Sequence, residues 1–184
     1  MVIKIKKLIT LNFKGILGER VIEFSPTITQ ILGANKTGKT TVADAFRWCL
    51  FGENSEGRSV FGVRTKDADG NVIPDLPHEV TVVLDVDGRE VELKRCLLEK
   101  WTKKRNSEER ELSLPSAYYI NGQKYTETDY KEYIKSLCKP SLFMLLSIPS
   151  YFPSQPADVQ RTQLSKMVEV PTMEELSLIH ISEP

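Results

Sequence analysis

The sequence predicts an α/β fold: strands and antiparallel β hairpins plus helices, with a glycine-rich loop joining a strand to a helix. Three observations predict it. Residues 2–12 place Val2, Ile3, Ile5, Leu8, Ile9 and Leu11 in rough alternation, the period of a half-buried strand. From Thr40 the period changes, and Val42, Ala45, Phe46, Cys49 and Leu50 recur three and four residues apart, which makes one apolar helical face. Asp87-Gly88 and Asn121-Gly122 each separate two alternating runs, and both pairs tolerate the positive φ angles of a two-residue hairpin turn.

The elements follow in order. After the first strand, "RVIEF" (residues 20–24) reads as a second and "TITQIL" (27–32) as a third, ending directly on Gly33. The helix from Thr40 stops at Gly52. Residues 53–78 are rich in Gly, Asp, Asn, Pro and Ser and predict a loop region with short extended pieces. Residues 78–101 carry the Asp87-Gly88 hairpin, "WTKKRNSEERE" reads as a charged loop or strand extension, and "YYINGQKY" is the second hairpin. "ETDYKEYIKSLCK" predicts a short amphipathic helix, capped by Thr128 and ended by Pro140. "SLFMLLSI" predicts a buried helix or strand, "YFPSQPADVQ" a proline-rich loop, and a last helix begins near Asp158.

Bulk properties narrow the class. The chain has 184 residues, about one domain, and 25 Lys plus Arg balance 25 Asp plus Glu. Zero net charge excludes a strongly basic nucleic-acid footprint for the whole chain. Three widely spaced cysteines (Cys49, Cys96, Cys138) match no metal pattern, and with no secretory signal in "MVIKIKKLIT" they point to reduced thiols in a cytoplasm. No apolar run reaches the roughly 18 residues of a membrane span.

The chemistry lies in "GANKTGKT", residues 33–40, which fits G-x-x-x-x-G-K-[ST]. Gly33 and Gly38 let the backbone curl so that the N–H groups of Ala34, Asn35, Lys36, Thr37 and the following residues point at one anion. The helix N-terminus, through Thr40 and Thr41, adds its partial positive charge. Lys39 reaches the outer phosphates of a nucleotide, and the Thr40 hydroxyl is placed for Mg²⁺. A strand before and a helix after are the context such a loop requires, so the fold class is that of a P-loop NTPase. Lys36 stands where many such loops have glycine, and pointing to solvent is favoured over facing the phosphates.

The helix after the loop, "TTVADAFRWCLFG", resembles the "DAI…LFG" run of the SbcC-type and structural-maintenance-of-chromosomes (SMC) repair ATPases. "LNFKG" (11–15) is similar to their N-terminal "NFR/K-(S/G)" element, and the "GxN" opening at Gly33 to Asn35 is shared. "LFG…SEGRS.FG…T.D..GN" and "EKWTKKR" look most like the phage- or prophage-borne bacterial members. The resemblance covers residues 1 to about 170. It implies an ABC-ATPase-like head of which this chain is the N-terminal lobe (AAA/SbcC-type, 1–165), followed by the start of a helix leading to a coiled coil (166–175). In the family a second, C-terminal lobe carries the signature motif, the Walker B acid and the switch histidine. The resemblance further implies ATP and Mg²⁺ as cofactors, ATP binding by Lys14 of the N-terminal element, and a glutamine-loop residue, Gln155 with Gln160 as fallback, meeting Mg²⁺ and the attacking water. The implied partners are a second head of the same protein, an SbcD-type nuclease, and DNA in the full assembly. The implied role is double-strand break repair or recombination.

Residues 176–184, "LSLIHISEP", back-translate as CTG TCT CTT ATA CAC ATC TCC GAG CCC, which resembles the end of a transposase-based sequencing adapter. The expectation is that the natural frame continues past about Glu175, and that this fragment alone does not hydrolyse ATP. Other signals carry less. "DADGN" (67–71) lacks the distal Glu of a calcium loop and reads as a turn. "NKT" at Asn35 reads as a coincidental glycosylation triplet. His78 reads as a lone loop residue, and the Lys100, Trp101, Lys103, Lys104, Arg105 cluster as a solvated strand end. The alternative function is a standalone P-loop switch without a DNA role. A small-molecule kinase is disfavoured by the hairpins.

Overall fold

The computed structural model describes residues 2–35, 37–103, 110–147 and 151–168. The chain divides into two compact units, Met1–Cys138 and Lys139–Pro184. The first is built on one antiparallel sheet. Its strands are β1 (Ile3–Phe13), β2 (Ile16–Glu23), β3 (His78–Val86), β4 (Arg89–Leu97), β7 (Ser116–Ile120) and β8 (Gln123–Tyr125), in the order β2-β1-β3-β4-β7-β8. A separate pair, β5 (Lys100–Lys103) and β6 (Arg110–Ser113), forms the charged extension after β4.

Both hairpin predictions hold. Asp87 and Gly88 have φ of 51° and 82°, Asn121 and Gly122 of 49° and 77°, so both turns need residues that accept the left-handed region. The register then sorts side chains by face. Leu8 stands opposite Val82 and Ile22, and Val82 opposite Leu93, so these residues share one face.

Helix α1 (Lys39–Phe51) covers that face over β3 and β4, and α2 (Glu127–Leu137) covers β7. Ala45, Trp48 and Cys49 of α1 and Tyr130 and Ile134 of α2 are buried with Leu8, Val80, Val82 and Leu93 in one core. Tyr130 Oη donates to the Cys49 carbonyl at 3.1 Å, which satisfies the one polar atom the tyrosine buries. Gly52 ends α1 with φ 78°, and a Cβ there would meet Arg95 Nη1 at 2.5 Å. The glycine therefore both stops the helix and admits the Arg95 guanidinium, which lies 4.8 Å from the Trp48 ring and 5.1 Å from the Tyr118 ring.

Several expectations are corrected. Residues 27–32 form no strand: Ile28 and Leu32 are 75% and 84% exposed, and no ladder reaches them. The second strand starts at Ile16 rather than Arg20. The cap of α2 is Thr126, whose Oγ1 accepts from Asp129 N at 3.2 Å, and Thr128 falls inside the helix. His78 is not a loop residue. It opens β3, fully buried, and its Nδ1 donates to the Asn12 carbonyl at 2.5 Å. Residues 67–71 are the expected turn, with Asp67 Oδ1 accepting from Asp69 N and Asn71 N.

The second unit holds α3 (Pro140–Ser147), α4 (Tyr151–Ser154) and α5 (Ala157–Val168). Residues 141–147 of "SLFMLLSI" are thus helical, with Leu142 42% exposed rather than buried, and the proline-rich stretch contains the short helix α4. No helix among the described residues is long and apolar enough to cross a membrane. Lys36, Lys104, Arg105 and residues 169–184, including the tail, lie outside the described residues.

Candidate functional site

The glycine-rich loop leads straight into α1. Gly38 sits at the helix N-cap with φ 91°, a conformation that favours glycine, and its residue type offers no side chain to the helix amides. The first turn of α1 holds no acidic residue. Its free N–H groups therefore keep their partial positive charge for a ligand. A Cβ at Gly33 would lie 2.6 Å from Thr37 Oγ1, so a side chain there would displace the Thr37 hydroxyl. Thr37 Oγ1 donates to the Ala34 carbonyl at 2.8 Å and pins that curl. Lys39 Nζ donates to the Gly33 and Ala34 carbonyls at 2.6 and 2.7 Å, folding the ammonium over the concave side of the loop.

A cleft of about 730 Å³ opens beside the loop. Asn35, Thr37, Gly38, Lys39, Thr40 and Thr41 form one side. Gly15, Ile16, Leu17, Glu19 and Arg20, from the β1–β2 turn and β2, form the other. The volume lies within the range of small-molecule sites. The donor set fits a phosphate chain: an uncapped helix terminus, a lysine ammonium and a hydroxyl at Thr40. Among the described residues no cluster of His, Cys, Asp or Glu forms a metal site by itself.

Lys14 is placed beside α1, one turn past Thr40. Its Nζ lies 2.5 Å from Asp44 Oδ2 and 5.4 Å from the Phe61 ring centroid. The Asp44 side chain is 4% exposed, and its other oxygen accepts from Ser55 N at 2.7 Å. Burial alone would raise the Asp44 carboxyl. The hydrogen bonds from Lys14 and Ser55, with the Lys14 charge, outweigh it and hold the carboxyl below its ordinary value. Gln155 belongs to the second unit. Its carbonyl accepts from Gln160 Nε2 at 2.7 Å, so the Gln160 amide is engaged within that unit. Arg20 was not anticipated from the sequence. Its place at the cleft follows from cross-strand register, which no local pattern in "RVIEF" announces.

A family model described as an AAA domain matches residues 7–176. The chain belongs to the AAA domain family. Among solved structures, this AAA domain is similar to the Smc head domain with a coiled coil and joint derived from Pyrococcus yayanosii, at TM-score 0.57 and 22% identity over 74% of the chain. It is also similar to the SMC head domain from Thermotoga maritima, at TM-score 0.50 and 25% identity over 71% of the chain. The fold is thus that of a P-loop ATPase domain resembling SMC heads. The chain spans 26% of the first of those structures and 41% of the second. No curated protein matches it.

Proposed function

We propose that this AAA domain is the nucleotide-binding N-terminal lobe of an SbcC-like ATPase that acts in DNA double-strand break repair or recombination. The observation that carries nucleotide binding is the loop itself. The uncapped start of α1, Lys39 and Thr40 face one cleft of nucleotide size. In this reading the backbone N–H groups of residues 34–40 hold the phosphates of ATP. Lys39 exchanges its two carbonyl contacts for phosphate oxygens, and Thr40 directs its hydroxyl to Mg²⁺. The metal supplies neutralisation of developing phosphate charge. Lys14, tied to Asp44 of α1, is an ATP-binding candidate, and Gln155 a candidate for the metal and the attacking water, on the family resemblance alone.

The exposed stretch 27–32 supports reading the chain as part of a larger head. A β-rich apolar segment finds no ladder when its neighbours belong to another segment, and Ile28 and Leu32 face solvent here. A C-terminal lobe of the same protein would pair with it and bring the Walker B acid. A second head would bring the signature motif, and a nuclease of SbcD type would use the resulting movement.

Two tests apply. Purified chain, given Mg·ATP, should release phosphate at background rate, because in this reading the Walker B acid belongs to the C-terminal lobe. Turnover well above background that Lys39→Ala abolishes would refute the divided-site reading. A longer read of the same gene separates the repair ATPase from a standalone P-loop switch. Heptads with apolar a and d positions, then a signature motif, support the first. A compact α/β continuation supports the second.

A further inference from the structure

The β2 wall of the cleft carries a cation that the loop motif does not include. Arg20 stands opposite Thr10 in the β1–β2 ladder, two residues from the Leu8–Ile22 pair. Leu8 and Thr10 are buried on the face that α1 covers, so Arg20 points to the α1 side of the sheet. Its neighbour Glu19 stands opposite Leu11, on the reverse face by register, and also lines the cleft. β2 is the edge strand, so Arg20 emerges beside the glycine-rich loop rather than under a helix. It lines the 730 Å³ cleft and also a second one of about 420 Å³ on the other flank of the loop. Thr37, Gly38 and Lys39 are common to both.

The cations around the loop among the described residues are differently committed. Lys14 is bound to Asp44, and Lys39 to two loop carbonyls. Arg20 is exposed and makes no hydrogen bond or ion pair among the described residues. An arginine left unpaired beside an uncapped helix terminus adds like charge to like. An anion lying between them would be attracted by both.

We propose that Arg20 is a phosphate-binding residue of this site, gripping the phosphate chain from the β2 side while the loop amides and Lys39 hold it from the α1 side. The proposal rests on the nucleotide-binding reading and adds to it a residue outside the loop motif. The planar guanidinium suits two oxygens of a phosphate chain, which a lysine at that place would meet only as a point charge. The contact is to phosphate and is therefore blind to the base.

The test is a titration of the full chain with Mg·ATP, Mg·GTP and inorganic tripolyphosphate, repeated for Arg20→Ala, Arg20→Gln and Lys39→Ala. Both Arg20 variants should raise Kd about tenfold or more for all three ligands, as the loss of one charged hydrogen-bonding partner of roughly 1.5–3 kcal/mol requires. Their melting temperatures should match that of the parent, because Arg20 holds nothing in the ligand-free fold. Unchanged Kd in both variants, with binding still lost in Lys39→Ala, overturns the role of Arg20 and leaves the P-loop reading standing. Weakening for ATP but not for tripolyphosphate makes the contact one to the base, which also overturns it. A chain that binds none of the three, or a Lys39→Ala variant that binds as the parent does, overturns the P-loop reading and this proposal together.

Discussion

Replacing Lys14 by Met tests the buried ion pair that ties the N-terminal element to α1. Methionine keeps the stem packed near Phe61 and removes the charge. Asp44 then keeps one partner, Ser55 N, with its side chain 4% exposed. Breaking a fully buried pair costs about 3–5 kcal/mol. The Lys14 side chain is 29% exposed, so the pair is partly hydrated and the expected cost near pH 7 is at the low end, about 3 kcal/mol. The pH dependence follows from the depressed Asp44 carboxyl. A carboxylate with a lowered folded pKa contributes stability above its unfolded value of about 3.9, and loses it as pH falls through the folded one. Without Lys14 the buried carboxyl titrates higher and protonates before the parent does, so the difference between the two proteins shrinks from pH 7 toward pH 4. Urea unfolding, followed by the fluorescence of Trp48 in the core, reads this. A Lys14→Met, Asp44→Asn double variant should cost less than the sum of the single ones. A cost below about 1 kcal/mol at pH 7, where an exposed pair would fall, refutes the buried-pair reasoning. So does a cost that is equal at both pH values.

Gly33→Ala pushes a methyl group against Thr37 Oγ1, so nucleotide affinity should fall at least tenfold with little change in melting temperature, measured on the same sample. Thr126→Ala removes the α2 cap and should cost about 1 kcal/mol by thermal or urea unfolding. Burial pushes the Cys49 thiol up to about 12 and the Cys96 thiol up to about 11, so alkylation at pH 8 followed by mass spectrometry should leave both unlabelled until denaturant is added. Unfolded thiols release their protons above about pH 8.5 while the folded ones keep them, so stability should decline as pH rises past that value.

Much of this was legible in the sequence because it was local. Asp87-Gly88 and Asn121-Gly122 specify their turns by residue type alone, and the spacing from Val42 to Leu50 specifies the buried face of α1. The loop is legible because its chemistry demands glycine where a side chain would clash or φ is positive, as at Gly33 and Gly38. What failed was non-local. Residues 27–32 have strand propensity, yet a strand exists only with a neighbour to pair. His78 looked solitary beside Pro77, but β3 sets it against the Asn12 carbonyl, which makes room for a buried imidazole. Thr126 and Thr128 are equally good cap types, and only the fold decides which of them precedes the first turn. Arg20 became a site candidate through its register with Thr10 and the course of the loop past the sheet edge.

The central claim is that residues 33–41 hold a nucleotide's phosphates at the start of α1. Backbone amide chemical shifts of the full chain, recorded by NMR before and after Mg·ATP, test it residue by residue. The account predicts the largest shifts at the amides of Gly33 to Thr41, with smaller ones at Gly15 to Arg20 across the cleft, and none of this in Lys39→Ala. Saturating Mg·ATP that leaves those amides in place, or that moves a different surface instead, contradicts it.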